Sequence, residues 1–196
     1  MVLDPTKYVI PSGAPALGQQ VMISAPNGPA EHALIGDPVN VVNLFVGDSL
    51  VDQLPVGEDT PLQITFGPAI GTGGDPVQLL ANGGVQVNTP GSYFMTHNFT
   101  IGRTSSGQSA QVDFRFLIDG VQIGNTAVYK MDSTDQSSLL TFTTLREYSG
   151  GEVLTHEIAR DTAGPDEGGL FALPVSIPGW NSGFSAQVSV NRVTVG

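Results

Sequence analysis

Gly91-Ser92-Tyr93-Phe94-Met95-Thr96-His97-Asn98-Phe99-Thr100-Ile101-Gly102 decides how this chain folds, and the pattern it opens runs on to Lys130. At every second residue Tyr93, Met95, Phe99 and Ile101 fall on one face of a strand, with His97 among them. Phe94, Thr96, Asn98 and Thr100 take the other face, because side chains alternate across an extended backbone. A polar loop, Arg103 to Ser109, breaks the rhythm. Val112, Phe114, Phe116 and Ile118 then alternate against Gln111, Asp113, Arg115 and Leu117. Asp119-Gly120 follows, and Val121 and Ile123 resume the apolar beat until Gly124-Asn125 interrupts it. Both members of an Asp-Gly pair tolerate the positive φ of a tight primed turn, so the pair predicts a β-hairpin. The expectation is an antiparallel sheet with one buried face.

Composition agrees with that reading. The 196 residues include 25 Gly and 14 Pro, and only 13% are charged. Such a profile suits short strands joined by tight turns. Hydrophobic residues make up 40% and recur periodically, so most of the chain can bury enough apolar surface to fold. With no cysteine, stability comes from burial or from association with other chains, without disulfides or thiolate metal sites. A formal charge of -11, with the five arginines (Arg103, Arg115, Arg146, Arg160, Arg192) scattered along the chain, argues against nucleic-acid or anionic-membrane partners, which need clustered cations. The first apolar run, Tyr8-Val9-Ile10, is cut by Pro11 and lacks a basic lead-in, unlike a secretion signal. The expected site of synthesis and assembly is a cytoplasm.

Residues 1–39 differ from the rest. Pro5, Pro11, Pro15, Pro26, Pro29 and Pro38 punctuate them, with Gly13, Gly18, Gly28 and Gly36 between. Prolines this frequent forbid a long helix and cannot donate to a central ladder. The segment reads as an extended arm whose apolar patches, Val2-Leu3, Tyr8-Val9-Ile10, Val21-Met22-Ile23 and Ala33-Leu34-Ile35, are anchors for packing on something else.

Residues 40–196 read as one β domain. Candidate strands cover Asn40 to Val46, Leu62 to Phe66, Val77 to Ala81, and Val85 to Asn88, the last two flanking a turn at Asn82-Gly83-Gly84. Beyond the opening hairpin, Ser138 to Arg146 places Leu140, Phe142 and Thr144 on one face. Val153 to Ile158 alternates Val153, Thr155 and Glu157 against Leu154, His156 and Ile158. Leu170 to Leu173 and Val175 to Ile177 lead to Trp180, and the last strand runs from Phe184 through Val190. About ten short strands and no convincing helix predict an all-β sandwich or barrel.

No stretch announces chemistry. Gly71-Thr72-Gly73-Gly74 lacks the lysine and following helix of a phosphate cradle and reads as a turn. Thr155-His156-Glu157 sets a histidine beside a carboxylate, but strand neighbours point to opposite faces and cannot share one ion. His32 and His97 have no short ligand spacing to one another, so each histidine reads as a surface or half-buried sheet residue. Asp132-Ser133-Thr134-Asp135 and Asp161 to Glu167 lack the calcium-loop pattern and read as solvated turns. Ser105-Ser106-Gly107 lacks a nucleophile elbow, and no carboxylate pair is favoured by spacing. The expectation is a chain without catalytic, cofactor or metal-binding residues.

Several features carry a family resemblance. Gly91-Ser92-Tyr93 opens a strand, and Phe114 to Ile118 leads into Asp119-Gly120-Val121. Ser149-Gly150-Gly151-Glu152-Val153-Leu154 turns into a strand, and Phe184-Ser185-Ala186-Gln187-Val188-Ser189-Val190 closes the chain. In this order they resemble the C1q/TNF-type jelly roll. Ile64-Thr65-Phe66-Gly67-Pro68-Ala69 and Asp75-Pro76-Val77 further resemble small jelly-roll structural proteins of tailed bacteriophages, so that the likeness covers roughly residues 60 to 196. Gly151-Glu152 departs from the family's Gly-Asp, and its calcium ligands have no counterpart here, so metal binding is not carried over.

The resemblance implies an antiparallel jelly-roll β-sandwich with a Pro-rich arm, assembled as a homotrimer with Tyr93, Phe94 and Phe99 at the contact between copies. It also implies a virion protein, made in the host cytoplasm, that decorates the capsid surface by binding the major capsid protein of the same virion. Val2, Leu3, Tyr8, Val9, Ile10, Val21, Met22 and Ile23 of the arm are then the expected capsid contacts. A receptor- or carbohydrate-binding head of a tail or fibre is the alternative, recognising its ligand through the loops Arg103 to Ser109, Asp132 to Gln136 and Asp161 to Gly169. An enzyme on the same scaffold would need two carboxylates across a cleft.

Overall fold

The computed structural model describes residues 20–23, 31–34, 39–103, 110–131, 137–161 and 168–195. These carry thirteen strands: β1 (Gln20–Ile23), β2 (Glu31–Leu34), β3 (Val39–Ser49), β4 (Leu62–Gln63), β5 (Val77–Leu79), β6 (Val85–Val87), β7 (Gly91–Arg103), β8 (Ala110–Ile118), β9 (Val121–Met131), β10 (Ser138–Tyr148), β11 (Val153–Arg160), β12 (Gly168–Leu170) and β13 (Ala186–Val195). The chain divides into two compact units, residues 1–42 with 193–196, and residues 43–192.

In the first unit β1 and β2 pair antiparallel, with Met22 opposite His32 and Ile23 opposite Glu31. Val21-Met22-Ile23, expected in an extended arm, thus lies in a hairpin. An isolated extended segment leaves its N–H and C=O groups unpaired, and pairing two such segments satisfies them locally. Val2, Leu3, Tyr8, Val9 and Ile10 fall outside the described residues.

The second unit is built around the expected turn. Asp119 and Gly120 both take left-handed backbone, φ 49° and 79°, and β8 reverses directly into β9 with Ile118 opposite Val121. The Asp119 carboxylate also accepts a hydrogen bond from the Val153 N–H at 3.0 Å, which fixes the turn to the start of β11. Farther along, Phe114 lies opposite Ala127 but Phe116 opposite Ile123. Two extra residues of β9 therefore bulge out where Gly124 (φ 67°) and Asn125 break the apolar pattern.

One sheet has the order β10-β7-β13-β3, with β12 also on β7. The other runs β5-β6-β11-β8-β9, with β4 also on β11. The registered pairings in both are antiparallel. From β6 onward the chain crosses between sheets, so that β7 acquires β10 and β13 as neighbours while β8 acquires β11. That order is a jelly roll, two interleaved Greek keys closed into a sandwich.

The strand periodicity explains the core. Tyr93, Met95, His97, Phe99 and Ile101 of β7 all face inward and are buried, as are Leu154, His156 and Ile158 of β11. Between them sit Ile64, Phe66, Phe114, Val188 and Val190. Phe99 stacks on Phe114 at 5.4 Å between centroids, and Tyr93 meets Tyr148 edge-on at 5.8 Å. Each such large apolar side chain taken fully out of water stabilises the fold by about 1.5–3 kcal/mol.

Two sequence expectations are corrected by this packing. Tyr93 and Phe99, expected between copies, have no exposed surface. They lie on the inward parity of β7 and are consumed by the chain's own core, whereas Phe94 on the opposite parity remains at the surface. His97 and His156, expected at or near the surface, are buried as deeply as the residues that flank them.

Candidate functional site

β9 and β10 lie at the ends of their sheets, and each pairs with a single strand among the described residues. Each is eleven residues long. Their inward parities pack only partly: Ile123, Ala127 and Tyr129 of β9 and Leu140, Phe142 and Thr144 of β10 are half-buried. Val128 of β9 and Leu139 and Leu145 of β10 point outward and are exposed, Leu145 to 68%, and Val121 is exposed at the hairpin end of β9. Tyr129 Oη reaches Ser138 Oγ at 2.6 Å. A cleft of about 450 Å³ is lined by Phe116, Ile123, Phe142, Thr144 and Leu145. Unpaired edges of this length, carrying branched apolar side chains, are the surfaces on which β proteins add partners.

The wall of that cleft is also the wall of the histidine pair. Phe116 contacts the rings of both His97 and His156, at 5.4 and 5.0 Å between centroids. Thr144 Oγ1 lies 3.4 Å from His97 Nε2. The two imidazoles come from opposite sheets and meet at 4.5 Å between centroids. Phe66 meets His156 edge-on at 5.0 Å. His97 Nδ1 and both ring nitrogens of His156 have no hydrogen-bond partner among the described residues. Burial disfavours the charged form, pushing His97 down to about 3. For His156, burial first and the neighbouring His97 second hold it well below its ordinary 6.5.

A second recess, about 230 Å³, opens on the outer face of β8 and β11 between Asp59, Asp113, Arg115, Gln122 and Glu157. Arg115 Nε donates to Glu157 Oε2 at 2.6 Å across the strand pair. Burial raises the Asp113 carboxyl above its usual value, the Gln111 amide offsets part of this, and the Asp161 and Asp59 carboxylates add to it. The one cation of the recess, Arg115, is committed to Glu157, and the Asp59 and Asp113 carboxylates share the same lining. Among the described residues no group of three or more acidic or histidine side chains can hold a metal ion.

The third surface is the segment between β12 and β13. Leu173, Val175, Ile177 and Trp180 are exposed, Trp180 to 68%. The segment is nevertheless fixed. Ala172 N–H donates to Asp52 Oδ1 at 2.8 Å, Gly183 N–H to the Leu173 carbonyl at 2.8 Å, and Trp180 N–H to the Ile177 carbonyl at 3.1 Å. Pro174 and Pro178 cannot donate to a ladder, and the apolar run forms a loop.

The sequence set His97 on the parity of Met95 and Phe99 and His156 on that of Leu154 and Ile158, but both read as surface or half-buried residues, and periodicity says nothing about which residues meet across a sandwich. The loops Arg103 to Ser109, Asp132 to Gln136 and Asp161 to Gly169 lie almost wholly outside the described residues, as do the calcium-loop candidates Asp132 to Asp135.

No protein-family model and no curated protein matches the sequence. Among solved structures the chain is similar to an Eiger TNF from S. frugiperda, at 11% identity over 81% of this chain and 95% of that chain, with a TM-score of 0.39. The jelly-roll assignment rests on this chain's own strand order.

Proposed function

We propose that the chain is a non-enzymatic structural protein of a virion: a homotrimeric jelly roll that decorates the capsid by binding the major capsid protein through its N-terminal segment. The observation that carries the self-association is the open side of the sandwich, where β9 and β10 present two long edges and the exposed Val121, Val128, Leu139 and Leu145. Cyclic association covers such edges without leaving new ones. The virion role rests on the sequence resemblance. Three arms on one trimer would raise the effective concentration at neighbouring capsid subunits and convert weak contacts into firm attachment.

Light scattering on the full-length protein, on Leu145→Lys, and on a form lacking residues 1–39, each then mixed with undecorated phage heads, tests the reading. A trimer that sediments with heads only when residues 1–39 are present supports decoration, and a Leu145→Lys protein that remains folded but monomeric assigns the contact to the open side. A monomeric wild type, or a trimer that ignores heads with and without the arm, overturns it.

A second reading, a receptor- or carbohydrate-binding head, is favoured by one observation: Trp180 stands exposed on a hydrogen-bonded loop, the arrangement by which rigid scaffolds offer an aromatic face to a ligand. Trp180→Ala that abolishes adsorption to host cells, with head binding intact, would select it.

A further inference from the structure

We propose that His97 and His156 form an acid-responsive latch between the two sheets: neutral imidazoles fill the core at neutral pH, and acidification drives the sheets apart by charging them. The proposal holds whichever partner the protein binds.

Geometry carries it. His97 belongs to β7 and His156 to β11, so their contact at 4.5 Å is one of the points where the two sheets touch. Aromatic rings enclose it: Phe116 reaches both imidazoles, and Phe66 and Phe99 reach His156. Three ring nitrogens lack a partner among the described residues. Leaving buried polar atoms unmet is costly, and a core made only for stability would place apolar side chains there.

The groups around the pair make the response one-directional. On β8, Asp113 and Arg115 point to the outer face, where Arg115 is bonded to Glu157 of β11. On β7 between Gly91 and Gly102 the one ionisable group besides His97 is Tyr93. The segment Ile64 to Phe66 carries none. On β10, Phe142 and Thr144 face the pair, and Arg146 follows on the same parity with its guanidinium 6.0 Å from the Tyr148 ring centre. On β11 the next charged residue on the inward parity is Arg160. Among the described residues no carboxylate is set to receive an imidazolium formed here, which meets a second imidazole instead. A buried charge without a partner is expelled by opening the structure. The thin place is the β9–β10 side, where Phe116 and Thr144 separate the pair from the cleft.

The sign follows from linkage. The folded chain refuses protons that the unfolded chain accepts at an ordinary histidine value of about 6.5, so stability is constant above that value and falls as the pH drops below it. Between pH 7.5 and 5.5 the unfolding constant should rise about tenfold per histidine, about 100-fold for the pair. Ordinary carboxylates contribute mainly at lower pH, and Asp113, whose carboxyl burial raises, acts in the opposite sense, so the change at both histidines is what isolates the imidazoles.

The test is denaturant unfolding of the full chain at pH 7.5, 6.5 and 5.5, in a His32→Gln background that removes the third histidine. The wild-type pair should show the full rise, and His97→Leu/His156→Leu should flatten it. A rise below threefold in the parent, or one that survives the double change, overturns the latch. If the double variant does not fold, imidazole NMR on the folded parent decides: both rings neutral at pH 5.5 supports the proposal, and either titrating near 6.5 overturns it. Amide exchange at pH 5.5 should quicken first along β9 and β10.

Discussion

The side-chain amide of Gln53 is hydrogen-bonded to both backbone groups of Thr65: Thr65 N–H donates to Gln53 Oε1 at 2.8 Å, and Gln53 Nε2 donates to the Thr65 carbonyl at 2.9 Å. The glutamine thus does for Thr65 what a neighbouring strand does elsewhere. Its own backbone pairs with Leu170 in both directions, at 2.9 and 3.0 Å, and the Ser185 hydroxyl next to it donates to the Val51 carbonyl at 2.6 Å. One buried polar side chain therefore ties the segment before β5 to the strands on either side of it.

Gln53→Ala leaves the Thr65 N–H and C=O unmet in a largely dry place. At about 1–3 kcal/mol for each of the two stranded groups, a loss of about 2–6 kcal/mol is expected. Gln53→Glu should be no better, because it sets a second oxygen against the Thr65 carbonyl. Urea unfolding at neutral pH measures both.

Arg115→Gln or Glu157→Gln should behave differently. The pair is short, but its side chains are 39% and 22% exposed, so water and salt screen it. A change of about 0–1 kcal/mol, shrinking further in high salt, is expected by the same measurement.

Two glycines with similar backbone should respond unequally to alanine. Gly83 (φ 86°) closes the β5–β6 turn, and a Cβ there would stand 2.0 Å from the Ile64 carbonyl oxygen. Gly120 (φ 79°) has nothing within 4 Å. Gly120→Ala should carry only the left-handed penalty of about 1–2 kcal/mol. Gly83→Ala must also displace backbone, and its melting temperature should fall well below that of Gly120→Ala.

Alkaline stability should follow Tyr148. Burial, partly offset by Arg146, raises its phenol to about 12, so the folded chain keeps a proton that the unfolded chain releases near 10. Stability is then lost as the pH rises from 10 toward 12, at about 1.4 kcal/mol per unit. Burial raises the Tyr93 phenol as well, so phenolate absorbance of the folded protein should show late ionisation from both, and Tyr148→Phe should remove one late step.

What was legible in the sequence was local. The Asp119-Gly120 and Asn82-Gly83-Gly84 turns, the inward parities of β7, β10 and β11, and the absence of helix among the described residues all follow from residue types a few positions apart. Contacts made at a distance were not. Leu62 to Phe66 read as a strand, yet its pairing with β11 stops at Ile64, whose N–H donates to the His156 carbonyl at 2.8 Å, and the Thr65 backbone is bonded to Gln53 instead. Tyr93 and Phe99 read as surface aromatics available to a second copy, although their parity already placed them inward with Met95 and Ile101. The histidines carried the same parity signal, but β7 and β11 belong to different sheets, and nothing in the spacing says that His97 and His156 touch.

The neighbouring of β3 and β13 has a consequence for how the protein is made. The first strand of the sandwich takes as its partner the last one, and β13 also separates it from β7. On a ribosome, β3 and the inward face of β7 must wait with their edges bare until the residues of β13 have left the exit tunnel. Closure of the sheet is therefore an event of the finished chain, slow because its contacts are distant in sequence and exposed to misassembly while it waits. Truncated chains that stop before Ala186 should be captured by chaperones or precipitate, whereas a β8–β9 hairpin can form as soon as it emerges.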